Sequence, residues 1–283
     1  MLILLEALNR ASAFLAERGI QQARLDSEWL FAEVLNCKRL DLYLQFERPL
    51  DETVLSRLRP LFKRRAQREP LQYILGWTDF CGLTLQTDRR ALIPRPETEE
   101  LIECITQSLP DPPQTILDLG TGSGALAIAL TQHYPEAQTT AIDHSSEALA
   151  LARGNATALG VANRITFRQS DWFKAVRGRF DLIVANPPYL SEREFASTQP
   201  EVRDYEPQLA LVAEQKGLAA LEQILCQAPA YLGSEGCLAL ETGIDHHNAL
   251  KNMAERTGYS NWHSLQDLSR RDRFFLARLS IQK

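Results

Sequence analysis

No apolar run in this sequence is long enough to cross a bilayer. Two of the longest, residues 1–5 and 125–130, fall far short of the roughly 20 residues that a spanning helix needs. No basic flank precedes the first of these and no small-residue cleavage site follows it, so no signal peptide is expected; Glu6 and Glu17 weigh against a transit segment. The 5 cysteines (Cys37, Cys81, Cys104, Cys226 and Cys237) are odd in number and form no C-x-x-C pair. Neither a zinc site nor a disulfide framework is suggested, and reduced, mostly buried thiols in a cytoplasmic protein are expected. The 5 histidines offer no ligand spacing, since His246 and His247 are adjacent and would point different ways on a helix; no metal is expected.

A basic surplus is missing too. With 31 Lys and Arg against 36 Asp and Glu the net charge is −5. Nucleic-acid binders draw most of their affinity from phosphate neutralisation, so no direct nucleic acid substrate is expected. One local exception gathers Arg57, Arg59, Lys63, Arg64, Arg65 and Arg68. A solvated helix face is the plainer reading of it. If it instead docks an acidic partner, reversing Arg64 and Arg65 to Glu should slow association.

What is present is a helical start followed by a strand–helix alternation. Leu2, Leu5, Leu8, Ala11 and Leu15 recur at helical spacing; Asp26 is placed to cap a second helix, and Asp51 a third over residues 53–67, stopped by Pro70. Residues 71–87 carry aromatic and β-favouring side chains broken by Gly76 and Gly82, which predicts a hairpin linker. Pro96 suits the first turn of a helix whose early turns hold Glu97, Glu99 and Glu100. The boundaries expected are a helical domain over 1–70, a linker over 71–90 and an α/β domain over 91–283.

In that last domain strands are expected at 115–119, 139–142, 165–168, 180–185 and 237–241, with helices at 125–133, 145–159, 217–232 and 245–257. This alternation predicts a doubly wound parallel sheet. The tail breaks it: strands at 262–265 and 273–279 leave no room for a crossover helix and must pair antiparallel. An antiparallel closing strand is the arrangement of class I (Rossmann-like) methyltransferases, not of dinucleotide dehydrogenases.

Three motifs sit where such a sheet binds ligands. Ile116-Leu117-Asp118-Leu119 runs into Gly120, Thr121, Gly122, Ser123 and Gly124, a strand–glycine turn–helix passage in which the backbone can approach a ligand. Gly120-x-Gly122-x-x-Ala125 also fits the dinucleotide fingerprint, so the loop alone does not name the cofactor. Asp143 ends the next strand, where an acid can accept both hydroxyls of an adenosine ribose, or cap the helix that follows. Asp171 and Trp172 follow the third strand, where a carboxylate could take an adenine amino group and an indole could stack on the ring; a core aromatic is the alternative for Trp172.

The discriminating motif is Asn186-Pro187-Pro188-Tyr189, directly after the strand at 180–185. An NH2 group on a carbonyl or aromatic ring is a poor nucleophile because its lone pair is delocalised. Two acceptors aimed at its two N–H bonds hold it and favour the geometry that frees that pair. The Asn186 side chain supplies one and the Pro187 carbonyl the other, its direction restricted by Pro187 and Pro188. Tyr189 offers a flat face for the planar group.

With these residues assembled, the chain resembles the HemK/PrmC family of release-factor glutamine-N5 methyltransferases over essentially its whole length. The resemblance adds Glu69-Pro70-Leu71-Gln72-Tyr73-Ile74-Leu75-Gly76 and Leu92-Ile93-Pro94-Arg95-Pro96-Glu97-Thr98-Glu99 to the motifs above. It continues through Ser170-Asp171-Trp172-Phe173 and Arg203-Asp204-Tyr205-Glu206-Pro207-Gln208-Leu209-Ala210-Leu211, and ends on Asp267-Leu268-Ser269-Arg270-Arg271-Asp272-Arg273. The tetrapeptide alone is shared with adenine-N6 methyltransferases; the combination is specific to this family. It implies S-adenosyl-L-methionine on Gly120–Gly124, Asp143 and Trp172, with Asn186 facing both cofactor and substrate. It further implies that Asn186, Pro187, Pro188 and Tyr189 clamp the glutamine of the Gly-Gly-Gln loop of peptide chain release factors 1 and 2. The helical domain would then help to dock the factor. Rival readings are a ribosomal-protein glutamine, a nucleic-acid adenine, a dehydrogenase and a catalytically inert relic.

Overall fold

The computed structural model describes residues 2–279, so the expectation for Met1 lies outside the described residues. The chain folds as two compact units, one of residues 1–77 with 199–205, the other of 78–198 with 206–283.

In the first unit α1 (Leu4–Ala16), α2 (Ala23–Leu35) and α3 (Glu52–Ala66) bury Leu4, Leu8, Leu15, Leu30, Phe31, Leu58 and Phe62 in one core. Asp51 caps α3 as expected, its carboxylate accepting from the Val54 amide at 2.9 Å. Asp26 does not cap α2: it lies inside the first turn, buried, where its carboxylate accepts from Arg65 Nε at 2.7 Å. The start of the expected hairpin is also different, because 71–75 form a short helix, α4 (Leu71–Leu75), ended by Gly76 at φ +83°. Only then come the paired strands β1 (Trp77–Phe80) and β2 (Leu83–Gln86).

The basic cluster is not one solvated face. Arg65 is buried between Asp26 and Glu201, Arg68 bonds Glu201 at 2.6 Å, and Arg64 bonds Glu69 at 2.8 Å. Arg57, Arg59 and Lys63 remain exposed, with Arg59 paired to Glu52. Arg65 is therefore unsuited to docking, and reversing it to Glu would disrupt a buried ion cluster.

The second unit carries α5 (Pro96–Ser108), β3 (Thr115–Leu119), α6 (Ala125–His133), β4 (Gln138–Asp143), α7 (Ser146–Ala158), β5 (Ile165–Gln169) and β6 (Phe180–Ala185). Short helices α8 (Glu192–Ala196) and α9 (Pro200–Arg203, in the segment belonging to the first unit) follow, then α10 (Ala219–Gln227), β7 (Leu232–Glu241), α11 (His247–Arg256), β8 (Tyr259–Gln266) and β9 (Asp272–Leu279). The sheet order is β5-β4-β3-β6-β7-β9-β8, parallel except for β9, which runs antiparallel to both its neighbours.

Period-2 alternation sends successive residues to opposite faces. Ile116, Leu182 and Val184 pack against α5, α6 and α7, while Leu117, Ile183 and Ala185 pack against α10 and α11. Both faces are covered, which explains the near-continuous apolar runs of β3 and β6. Of the cysteines only Cys237 is fully buried; Cys81 and Cys226 are exposed, contrary to the expectation from composition. Cys81 sits in the tight β1–β2 turn at φ +51°.

Candidate active site

The chain leaves β3 toward β4 on one side and returns through β6 on the other, so the carboxyl ends of β3 and β6 flank a topological switch point, where open α/β sheets bind ligands. The register pairs Leu119 with Ala185 and with Ile142, which sets Gly120, Asn186 and Asp143 at neighbouring strand ends. A cavity of about 500 Å³ opens there. Its lining includes Gly120, Thr121, Gly122, Ser123, Asp143, Asp171, Trp172, Asn186, Pro187 and Pro188, together with Ile93, Arg95 and Thr98. Gly124 and Tyr189 are outside that lining.

Gly120, Gly122 and Gly124 have φ of +75°, +56° and +86°, which side chains tolerate poorly. At Gly124 space matters as well, because a Cβ would stand 3.0 Å from Ile128 Cδ1 and 3.1 Å from Ala152 Cβ. Gly124 thus serves the packing of α6 on α7, and Gly120 and Gly122 shape the turn at the cavity. Asp143 accepts from the Gly122 amide at 2.9 Å and the Ser145 amide at 2.8 Å, which fixes its carboxylate and leaves a lone pair on each oxygen. The cap of α7 is Ser145, whose hydroxyl accepts from Ala148, so Asp143 is not needed for that role. Trp172 holds φ +46°, uncommon for a bulky residue, and its ring comes within 3.8 Å of the Cβ position at Gly120. Asp171 faces the cavity but is half exposed and paired with Lys174 at 2.6 Å. These features suit a cofactor with an adenosine moiety.

Asp118, fully buried beneath the loop, accepts from Thr121 Oγ1 at 2.6 Å and the Ala127 amide at 3.1 Å through one oxygen, while the other has no partner among the described residues. Burial pushes its carboxyl up to about 7, against the pull of those hydrogen bonds. A folded value above the unfolded one gives stability that is complete below about pH 4 and is lost as pH rises through about 7. Urea unfolding should show this decline for the native chain and a flatter profile for Asp118→Asn. Parallel profiles would exclude Asp118 as its source.

Behind Asn186 lies a polar cluster that the sequence did not reveal. Asn186 Nδ2 donates to Thr98 Oγ1 at 3.0 Å, and Thr98 donates to Glu241 at 2.6 Å. Tyr189, whose ring is expected to face the substrate, donates its hydroxyl to Glu241 at 3.0 Å, with Arg273 over its ring. Burial raises the Glu241 carboxyl above its usual value, opposed by the Thr98 and Tyr189 hydroxyls and by Arg273. The one available signal was an acid ending the apolar run Cys237-Leu238-Ala239-Leu240. Arg95 bonds Glu206 at 2.5 Å, and Glu206 also accepts from the Ile93 amide, so two motif segments interlock at the cavity wall.

Sheet order, glycine turn and the Asn186 corner define a Rossmann-like methyltransferase, and residues 96–201 match the family model of the methyltransferase small domain. The fold is shared with a Pyrococcus furiosus methyltransferase (TM-score 0.53, 19% identity, 71% of this chain and 90% of that one). It is also shared with a T. thermophilus 16S rRNA methyltransferase solved with AdoMet and guanosine (TM-score 0.51, 17% identity, 72% and 49%). Residues 6–76 match the PrmC N-terminal domain. A release factor glutamine methyltransferase of Geobacter sulfurreducens is 40% identical over 269 residues, 95% of this chain and 94% of that protein. One of Chlorobaculum tepidum is 42% identical over 280 residues, with the same coverage. The chain belongs to the release factor glutamine methyltransferase family, and it is an enzyme.

Proposed function

We propose that this enzyme uses S-adenosyl-L-methionine to methylate the side-chain amide N5 of the glutamine in the Gly-Gly-Gln loop of peptide chain release factors, with factors 1 and 2 as its acceptors. The observation that carries this reading is the shared cavity: Asn186 and Pro187 line the same space as Gly120, Gly122, Asp143 and Trp172. Those last residues, with Thr121 and Ser123, would hold the cofactor. Bound there, it supplies a methyl group on a positively charged sulfur.

Asn186 Oδ1 and the Pro187 carbonyl accept the two N–H bonds of the substrate amide, hold its nitrogen in place and free its lone pair. A proton leaves readily once nitrogen has formed its new bond, because a protonated amide is strongly acidic. No side chain need act as base. Orientation and the two acceptors supply most of the acceleration.

Incubation with labelled S-adenosylmethionine and either intact release factor or nucleic acid tests the reading. Label on the Gly-Gly-Gln glutamine supports it, and label on adenine overturns it. A second expectation concerns the ribose contact. Asp143→Ala should weaken cofactor binding by about 1.5–3 kcal/mol, the worth of a charged hydrogen bond, and, by leaving the Gly122 and Ser145 amides without this acceptor, lower thermal stability modestly while the fold is kept. Unchanged affinity by calorimetry would show that Asp143 only shapes the turn.

A further inference from the structure

An Asn side chain has one end that accepts hydrogen bonds and one that donates them, and the two are nearly the same shape. A site that relies on the accepting end therefore needs something to decide which way the amide faces. We propose that Thr98 is a positioning residue that makes this decision, relaying the acceptor character of buried Glu241 to Asn186. The proposal rests on the reading of Asn186 as an acceptor for the substrate nitrogen.

A Thr hydroxyl has a single proton. Thr98 donates that proton to Glu241, 2.6 Å away, and so can only accept at its remaining contact. The remaining contact is Asn186 Nδ2 at 3.0 Å. With the donating end held by Thr98, Oδ1 is left for the substrate N–H. Turned over, Oδ1 would meet a hydroxyl oxygen with no proton to give, two acceptors face to face. Thr98 is 4% and Glu241 1% exposed, so the Thr98–Glu241 bond is shut off from solvent and the hydroxyl proton is not readily turned back toward Asn186. Glu241 also accepts a hydrogen bond from the Tyr189 hydroxyl, which fixes the carboxylate from its other oxygen and ties both ends of the Asn186–Tyr189 corner to one group.

The test is a double-mutant cycle on the full chain with intact release factor. Thr98→Val keeps the shape and removes the hydroxyl; kcat is expected to fall about ten- to hundredfold, the range for losing one buried hydrogen bond, with cofactor affinity unchanged. Thr98→Ser should recover most of that loss. In an Asn186→Ala background Thr98→Val should cost nothing further, because its effect passes through Asn186. A second readout needs no turnover. The native enzyme should bind the glutamine form of the factor better than a form with glutamate at that position, and Thr98→Val should erode this preference by letting the Asn186 NH2 turn toward the carboxylate. If Thr98→Val fails to fold, Thr98→Cys, a weak donor and acceptor of similar size, takes its place. A native kcat for Thr98→Val, or losses that add to those of Asn186→Ala, would overturn the relay and leave the acceptor role of Asn186 standing. A native rate for Asn186→Ala alone would overturn that role instead.

Discussion

Replacing Asn186 by Ala is expected to lower methyl transfer by about 10²–10³, the usual consequence of removing one aligned polar group that acts in a transition state. Cofactor affinity should change by less than about tenfold, since the ribose and base contacts expected at Asp143 and Trp172 are untouched and at most one neutral hydrogen bond is lost. The effect should fall on kcat with a saturating protein acceptor, because the contact grows in value as the nitrogen departs from planarity. Ala leaves the Thr98 hydroxyl without its Asn186 donor but still bonded to Glu241, so the fold should hold. Single-turnover rates on intact release factor, with calorimetry for the cofactor, separate the two quantities. Near-native turnover would show that Asn186 does not hold the nucleophile.

Most of the α/β unit was legible because its signals are local. Strands β3 and β6 run over the expected residues, as does α6, since each is a short apolar run bounded by turn residues. Pro96 opens α5 as its fixed φ suggests. The glycine turn and Asn186 could be placed because each directly follows a strand, and Asp143 because it ends one; strand ends on one side of a parallel sheet meet. Thr98 and Glu241 could not be foreseen as partners, because they lie 143 positions apart and meet only through the sheet order. Thr98 sits among acids that looked like helix N-terminal decoration. Two of those acids have other tasks: Glu97 reaches Arg271 at 3.5 Å and Glu100 accepts from the Leu268 amide at 2.8 Å. The basic helix misled for a similar reason. Charge counts do not say which arginines are neutralised by distant carboxylates.

Arg65 is where that long-range pairing matters most, and its replacement by Met is expected to weaken the N-terminal unit by about 3–5 kcal/mol near neutral pH, the usual cost of stranding a buried partner. Arg65 bonds Asp26 at 2.7 Å and Glu201 at 2.9 Å, and Arg65 and Asp26 side chains are each 8% exposed. Burial already pushes the Asp26 carboxyl up despite Arg65. Burial would raise Glu201 as well, but its own backbone, Arg68 and Arg65 hold it below the usual value. Glu201 keeps Arg68 in the variant, so the stranded charge is Asp26. Its folded value rises further without Arg65, so the deficit should be largest at neutral pH and shrink at mildly acid pH as Asp26 takes up a proton. With two units in the chain one melting curve is no clean measure, so hydrogen exchange should be read separately in α2 and α3 and in β3 and β6. Faster exchange is expected in α2, α3 and the Gln199–Tyr205 segment and not in the sheet, with cofactor affinity unchanged because Gly120, Asp143 and Trp172 lie outside that unit. The same pairing means that a cut near residue 70 would strip Gln199–Tyr205 of its unit just before Glu206, which holds Arg95 and the Ile93 amide. Equal protection in native and Arg65→Met chains would show that the cluster is dispensable to the unit.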